Sequence, residues 1–169
     1  VVESKSGITT ETDTQVDAEV NAAVNAAVNA AVNAAVNAEV NTRISAQFER
    51  VAVLHEDIAA PVYARYFAAD PAASALMAHM DHLTRGRMLN EVLRLLMDWD
   101  ATSDGAYLDF EVRNHQWAYR VEPGMYGALL TAVRDTVADV LGAEWHADMA
   151  RDWNARIDLL VREIAARAE

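Results

Sequence analysis

The chain has no cysteine. That excludes disulfides, thiolate catalysis, zinc–cysteine sites, iron–sulfur clusters and c-type haem attachment. Proline is scarce, at 3 of 169 residues, and glycine numbers 6. Little therefore interrupts long helices. No uninterrupted apolar run reaches the roughly 18 residues that a transmembrane helix needs. Basic residues are outnumbered, 14 Lys and Arg against 26 Asp and Glu, for a formal net charge of -12. Such a surface repels phosphate backbones and anionic lipid, so neither nucleic acid nor membrane insertion is expected. A Walker-type phosphate loop and a Gly-x-Ser-x-Gly elbow are also missing.

What is present is apolar and helical in pattern. Hydrophobic residues make up 53% of the chain, enough for a sizeable core. From Gln47 onward β-branched residues are scattered instead of alternating, which argues against a sheet. An all-α fold follows. The chain begins at Val1, without Met. A cytoplasmic location is the default expectation, with export left open.

Composition divides the chain at about residue 45. Residues 1–15 are polar and read as a flexible start. Residues 16–45 are a low-complexity repeat. Val16, Val20, Val24, Val28, Val32, Val36, Val40 and Ile44 recur every four residues, with Phe48 in step. Asn21, Asn25, Asn29, Asn33, Asn37 and Asn41 follow them, and Ala fills most gaps. Alanine favours helix. In a helix, a period of four drifts about 40° per step, so the Val row winds around the axis and forms no straight coiled-coil seam. A strand would put Val and Ala on one face, but Ala and Asn are poor strand residues, so helix is preferred. The extension is either a solvated spacer or an association arm building a homo-oligomer or filament.

Residues 46–169 break into helical segments. The first, 46–68, carries Phe48, Val51, Leu54, Ile58, Val62 and Tyr66, with Pro61 near a start or kink. Asp70-Pro71 stops it and opens a short helix. Residues 83–99 form an amphipathic helix, Asp100 to Gly105 a turn, and 106–119 a shorter helix bearing His115. Glu122-Pro123-Gly124 starts a helix that stops at Gly142, and 144–168 form the last.

The segment His115-Gln-Trp-Ala-Tyr-Arg-Val-Glu-Pro-Gly-Met-Tyr126 resembles the globin stretch that begins at the proximal haem histidine. In that family the histidine ends a short helix. A Val follows, then often a Pro, then an aromatic; here these are Val121, Pro123 and Tyr126. Trp153 sits where many globins have a Trp in the final helix. Tyr63-Ala-Arg-Tyr-Phe67 followed by Asp70-Pro71 is similar to the Tyr-x-x-x-Phe-x-x-x-Pro passage of bacterial globins. The resemblance covers about three-quarters of the chain and implies a globin-like helical sandwich for 46–169.

The resemblance further implies haem b held by His115 as the iron ligand, and reversible binding of O2, NO or CO. A neutral imidazole suits haem iron, and its other ring nitrogen is expected on a backbone carbonyl or carboxylate. Leu89, Leu93, Val121, Tyr126 and Leu129 are expected to line the pocket. Tyr63 aligns with the distal tyrosine. Arg85 takes the usual distal position in the register that sets Gly86 against Ala59. A register placing Arg87 there would turn Glu91 towards haem, a costly burial. Leu76 or Met77 replaces the usual Phe at the haem edge, and Met77 as an axial ligand is a weaker alternative. His79 and His82, three apart, lack the carboxylates of a di-iron site and read as surface or rim residues. His55 and His146 have no partner in the pattern.

Storage, sensing and NO chemistry with an external reductant all stay open. Gas binding is expected in preference to catalysis. A competing expectation is an interaction protein, a globin shell assembled through the repeat with haem incidental or absent.

Overall fold

A computed structural model describes residues 8–168. The fold is all-α. The helices are α1 (Ile8–Leu54), α2 (Ala59–Ala69), α3 (Pro71–Leu76), α4 (His82–Met97), α5 (Ala101–Asn114), α6 (Pro123–Leu141) and α7 (Ala147–Ala165). A π-helical turn, His115–Tyr119, follows α5, and a 3-10 turn, Gly142–Glu144, follows α6. There is no strand among the described residues. None of their helices is long and apolar enough to cross a membrane.

Two compact units divide between Glu39 and Val40, six residues ahead of the compositional boundary. The reason lies in the repeat's last members. Ile44 is fully buried and Phe48 nearly so, while Val40 packs partly buried on the core. Within the first unit, by contrast, every described side chain from Gln15 to Val36 is exposed.

Local chemistry sets the helix ends. α1 stops at Leu54, and no helix carries Pro61 in its interior, where the missing N–H and the ring's clash with the carbonyl four residues back would break it. Pro61 instead falls in the first turn of α2, whose Ala59 N–H donates to Asp57 Oδ1 at 2.7 Å. Asp70 caps α3 by accepting from Ala73 N at 3.0 Å, with Pro71 at the first helical position. Asp81 caps α4 through Thr84 N at 2.7 Å. Gly142, at φ +53°, ends α6 where a side chain would be strained.

One expected turn is helix. Asp100–Gly105 reads as a turn by composition, yet α5 begins at Ala101. Asp104 is the cause. Its Oδ2 accepts from Asp100 N at 2.9 Å, and its Oδ1 accepts from Arg94 Nη1 at 2.8 Å. That bridge buries the carboxylate and stabilises the first turn of the helix.

The core of the second unit gathers α2, α6 and α7 around Val62, Val133, Val137, Trp153 and Leu160. Trp153 packs its ring 5.3 Å from Phe48, and its Nε1 donates to Gln47 Oε1 at 2.6 Å. Arg156, 1% exposed, extends into this core. It donates from Nη1 to Leu96 O at 2.9 Å and from Nη2 to Asn41 Oδ1 at 2.5 Å. Its charge thus sits at the carbonyl-rich end of α4, where the helix dipole favours a cation.

Gly86 corrects a sequence-based expectation. A Cβ added there meets nothing within 4 Å, so Gly86 makes no close crossing with Ala59. Being in a helix interior with open space, Gly86→Ala should stabilise the protein by roughly 1 kcal/mol. Thermal unfolding followed by circular dichroism checks this, and a lower melting temperature would reveal a role for the glycine.

Candidate functional site

His115 opens the π turn that closes α5. The wider turn ends on Arg120 in the left-handed conformation at φ 56°, and Val121 N donates back to His115 O at 3.1 Å. Such π segments often mark functional positions. The His115 side chain is about three-quarters covered, at 26% exposure. Its Nδ1 and the Tyr126 hydroxyl share a hydrogen bond of 2.9 Å. Nε2 lies 3.5 Å from Glu111 Oε2, one turn earlier on α5.

Burial lowers the His115 pKa and Glu111 opposes it; burial wins, so the ring favours its neutral form. Burial also raises the Tyr126 phenol far out of the physiological range, helped by Glu111 and Tyr107. The pair is therefore a neutral imidazole beside a neutral phenol. In the Nδ1–H tautomer, Nδ1 donates to Tyr126 Oη and Nε2 keeps its lone pair. The expected carbonyl or carboxylate partner of Nδ1 is thus replaced by a phenol. Tyr126, expected as apolar lining, holds the ring instead.

A second group forms around Phe67. Tyr63 is buried, and its hydroxyl donates to Arg85 O at 2.8 Å. Burial pushes the Tyr63 pKa up to about 12, with Arg85 pulling it slightly back. Arg85 folds its guanidinium over the Phe67 ring at 5.2 Å and donates from Nη2 to Met77 O at 2.9 Å. Its Nε is buried without a hydrogen-bond partner, a donor left over. Met77, Leu89 and Leu129 are buried, while Leu93 and Val121 are half-buried against the core. Arg87 and Glu91 face solvent, so the inward face of α4 carries Arg85 and Leu89.

Tyr66 joins the two groups. Its hydroxyl is held protonated by burial, with Asp70, Tyr63 and Tyr126 close enough to add to the effect. Glu111 was missed from sequence, and Tyr66 and Phe67 were read there as core and motif residues without a place in the site. Each had a signal, since Tyr66 and Phe67 lie one helical turn from Tyr63, and Glu111 one turn before His115.

The other histidines, His55, His79, His82 and His146, are exposed. Among the described residues no three His, Asp or Glu side chains converge on a metal-sized site. Two surface concavities lie elsewhere, one beside Arg43, Arg50 and Asp152, the other beside Asn41, Arg94 and Asp98. Chemically, the His115 site offers one neutral imidazole held by a phenol; its Nε2 is a ligand nitrogen in the Nδ1–H tautomer only, and it lies 3.5 Å from Glu111 Oε2. That donor set suits haem iron better than a bare metal ion, which needs several ligands from the protein. In comparisons of the chain with family models, curated proteins and solved structures, nothing matches.

Proposed function

We propose that residues 46–169 form a haem-binding globin domain that reversibly binds O2, NO or CO. The observation that carries this reading is the His115–Tyr126 hydrogen bond, which fixes a neutral imidazole at the end of a helix just ahead of Pro123. Haem b, when bound, would supply the iron that takes up a diatomic gas. His115 would hold that iron, with Tyr126 setting the ring orientation. Met77, Leu89, Leu93, Val121 and Leu129 would exclude water, and Tyr63 and Arg85 would supply the polar groups. The test is the visible absorption spectrum of protein titrated with hemin. A saturable Soret band at one equivalent supports the reading, and featureless, non-saturating absorbance overturns it.

Tyr63 has two roles to choose between. If its hydroxyl leaves Arg85 O to donate to O2, Tyr63→Phe should speed O2 release about tenfold to hundredfold. Stopped-flow rates equal to the unmodified protein's would leave the hydroxyl on Arg85 O and remove Tyr63 from gas binding.

One observation favours a second reading, an interaction protein assembled through its repeat. Six valines, from Val16 to Val36, are each 51–55% exposed along one helix. Valine in water forgoes roughly 1.5–3 kcal/mol relative to full burial.

A further inference from the structure

We infer that the segment Val20–Ala38 of α1 docks on the same segment of a second copy of this chain, Val ridge into Ala trough, with the two helices crossed. The inference rests on the assembly reading above and specifies its surface and partner.

The rows themselves make the surface self-complementary. Val20, Val24, Val28, Val32 and Val36 stand at every fourth residue of a continuous helix, which is an i, i+4 ridge. Beside it, one residue earlier, runs a row of Ala23, Ala27, Ala31 and Ala35. This row is a trough, because methyl side chains end well short of the valines. The Asn row lies on the opposite flank. One helix therefore carries both a knob row and a slot row, and where two copies cross, the central valines of each can seat in the other's slots.

The winding of the ridge sets the angle. Each four-residue step drifts by about 40°, so two parallel helices would lose contact within a few turns. Helices that interlock i, i+4 ridges cross at about −50° instead.

Charge identifies the occupant. The chain carries a net charge of -12, so two copies repel wherever acidic surface meets acidic surface. Residues 20–38 contain no charged side chain, and Glu19 and Glu39 bracket them. Both glutamates fall in the Ala row's own register and end the trough at either side. This stretch is where a second copy approaches without like-charge cost. A basic partner would find no acid there to pair with.

The experiment is sedimentation equilibrium of the full chain over a wide concentration range, with two pairs of variants. Val24→Ser with Val28→Ser should weaken self-association roughly hundredfold. Serine and valine have similar helix propensity, so circular dichroism should show the helix retained. Asn25→Ser with Asn29→Ser should change it less than about threefold. Because the chain has no cysteine, Ala27→Cys and Asn29→Cys each present one thiol. Under mild oxidation the Ala27 variant should form the inter-copy disulfide at least about tenfold faster. A monomeric full chain at all concentrations overturns the assembly reading, and the docking with it. Association that survives Val24→Ser with Val28→Ser, or equal cross-linking at both positions, leaves the assembly reading standing and overturns the ridge-in-trough docking.

Discussion

His115→Ala should abolish the Soret band of hemin-titrated protein. The substitution removes the single imidazole whose Nδ1 is anchored, and the other four histidines are exposed and far from such an arrangement. Free imidazole added to the variant should restore part of the band, since the deletion leaves a space of that shape. Tyr126→Phe keeps the ring and loses its anchor, so haem affinity should fall about 10- to 100-fold instead of vanishing. A Soret band and haem content in His115→Ala equal to the unmodified protein's would reject the assignment.

The same histidine makes a pH statement about the apoprotein. Its folded pKa lies below the ordinary value of 6.5, through burial. As pH falls below 6.5, the unfolded chain takes up the proton first, so the contribution to stability is present above 6.5 and is lost towards the folded pKa. Glu111 works against burial, so Glu111→Gln should lower the folded pKa further and extend that acid loss to lower pH. Titration of the His115 ring protons by NMR reads both values directly. A pKa that rises in Glu111→Gln would contradict the electrostatics of the site.

Arg156→Ala should cost the second unit about 3–5 kcal/mol, on the order of a 10 °C fall in melting temperature. The guanidinium is 1% exposed and donates to Leu96 O, more weakly to Leu95 O at 3.4 Å, and to Asn41 Oδ1. Burial lowers its pKa to about 10, with Asp98 opposing, so it still carries its charge at neutral pH. Its removal leaves two carbonyls at the end of α4 and one amide oxygen of α1 without this donor, and opens a cavity. Arg156→Lys should recover part of the loss, because an ammonium keeps the charge but cannot fork between three acceptors. Urea unfolding followed by circular dichroism measures both. A loss under about 1 kcal/mol for Arg156→Ala would mean that water satisfies the same carbonyls, and that the arginine does not clip α1, α4 and α7 together.

Helix content and its punctuation were legible in the sequence because they are set within a turn or two of chain. Asp70 and Pro71 cap and open α3, Gly142 ends α6, and the Ala-rich repeat continues as helix, all through contacts of four residues or fewer. His115 stood out for the same reason, its flanking pattern being local. Tyr126 stood out with it as a lining residue, but not as the partner of its ring. Tyr126 lies eleven residues on, across the π turn, and only the packing of α6 against that turn brings the phenol to Nδ1. Composition offered no warning that Asp104 would pair with Arg94 and turn an expected loop into α5, or that Gly86 would face open space. The repeat shows the division most plainly. Val36 and Ile44 hold equivalent places in one period-four row, yet Val36 is 54% exposed and Ile44 0%. The helix that carries both is dictated by local propensity. Whether a side chain on it meets water or a core depends on residues about a hundred positions away, such as Trp153 bonded to Gln47 and Arg156 to Asn41. No property of the local sequence encodes those meetings, because burial is decided by which helices arrive, and only the tertiary structure brings them.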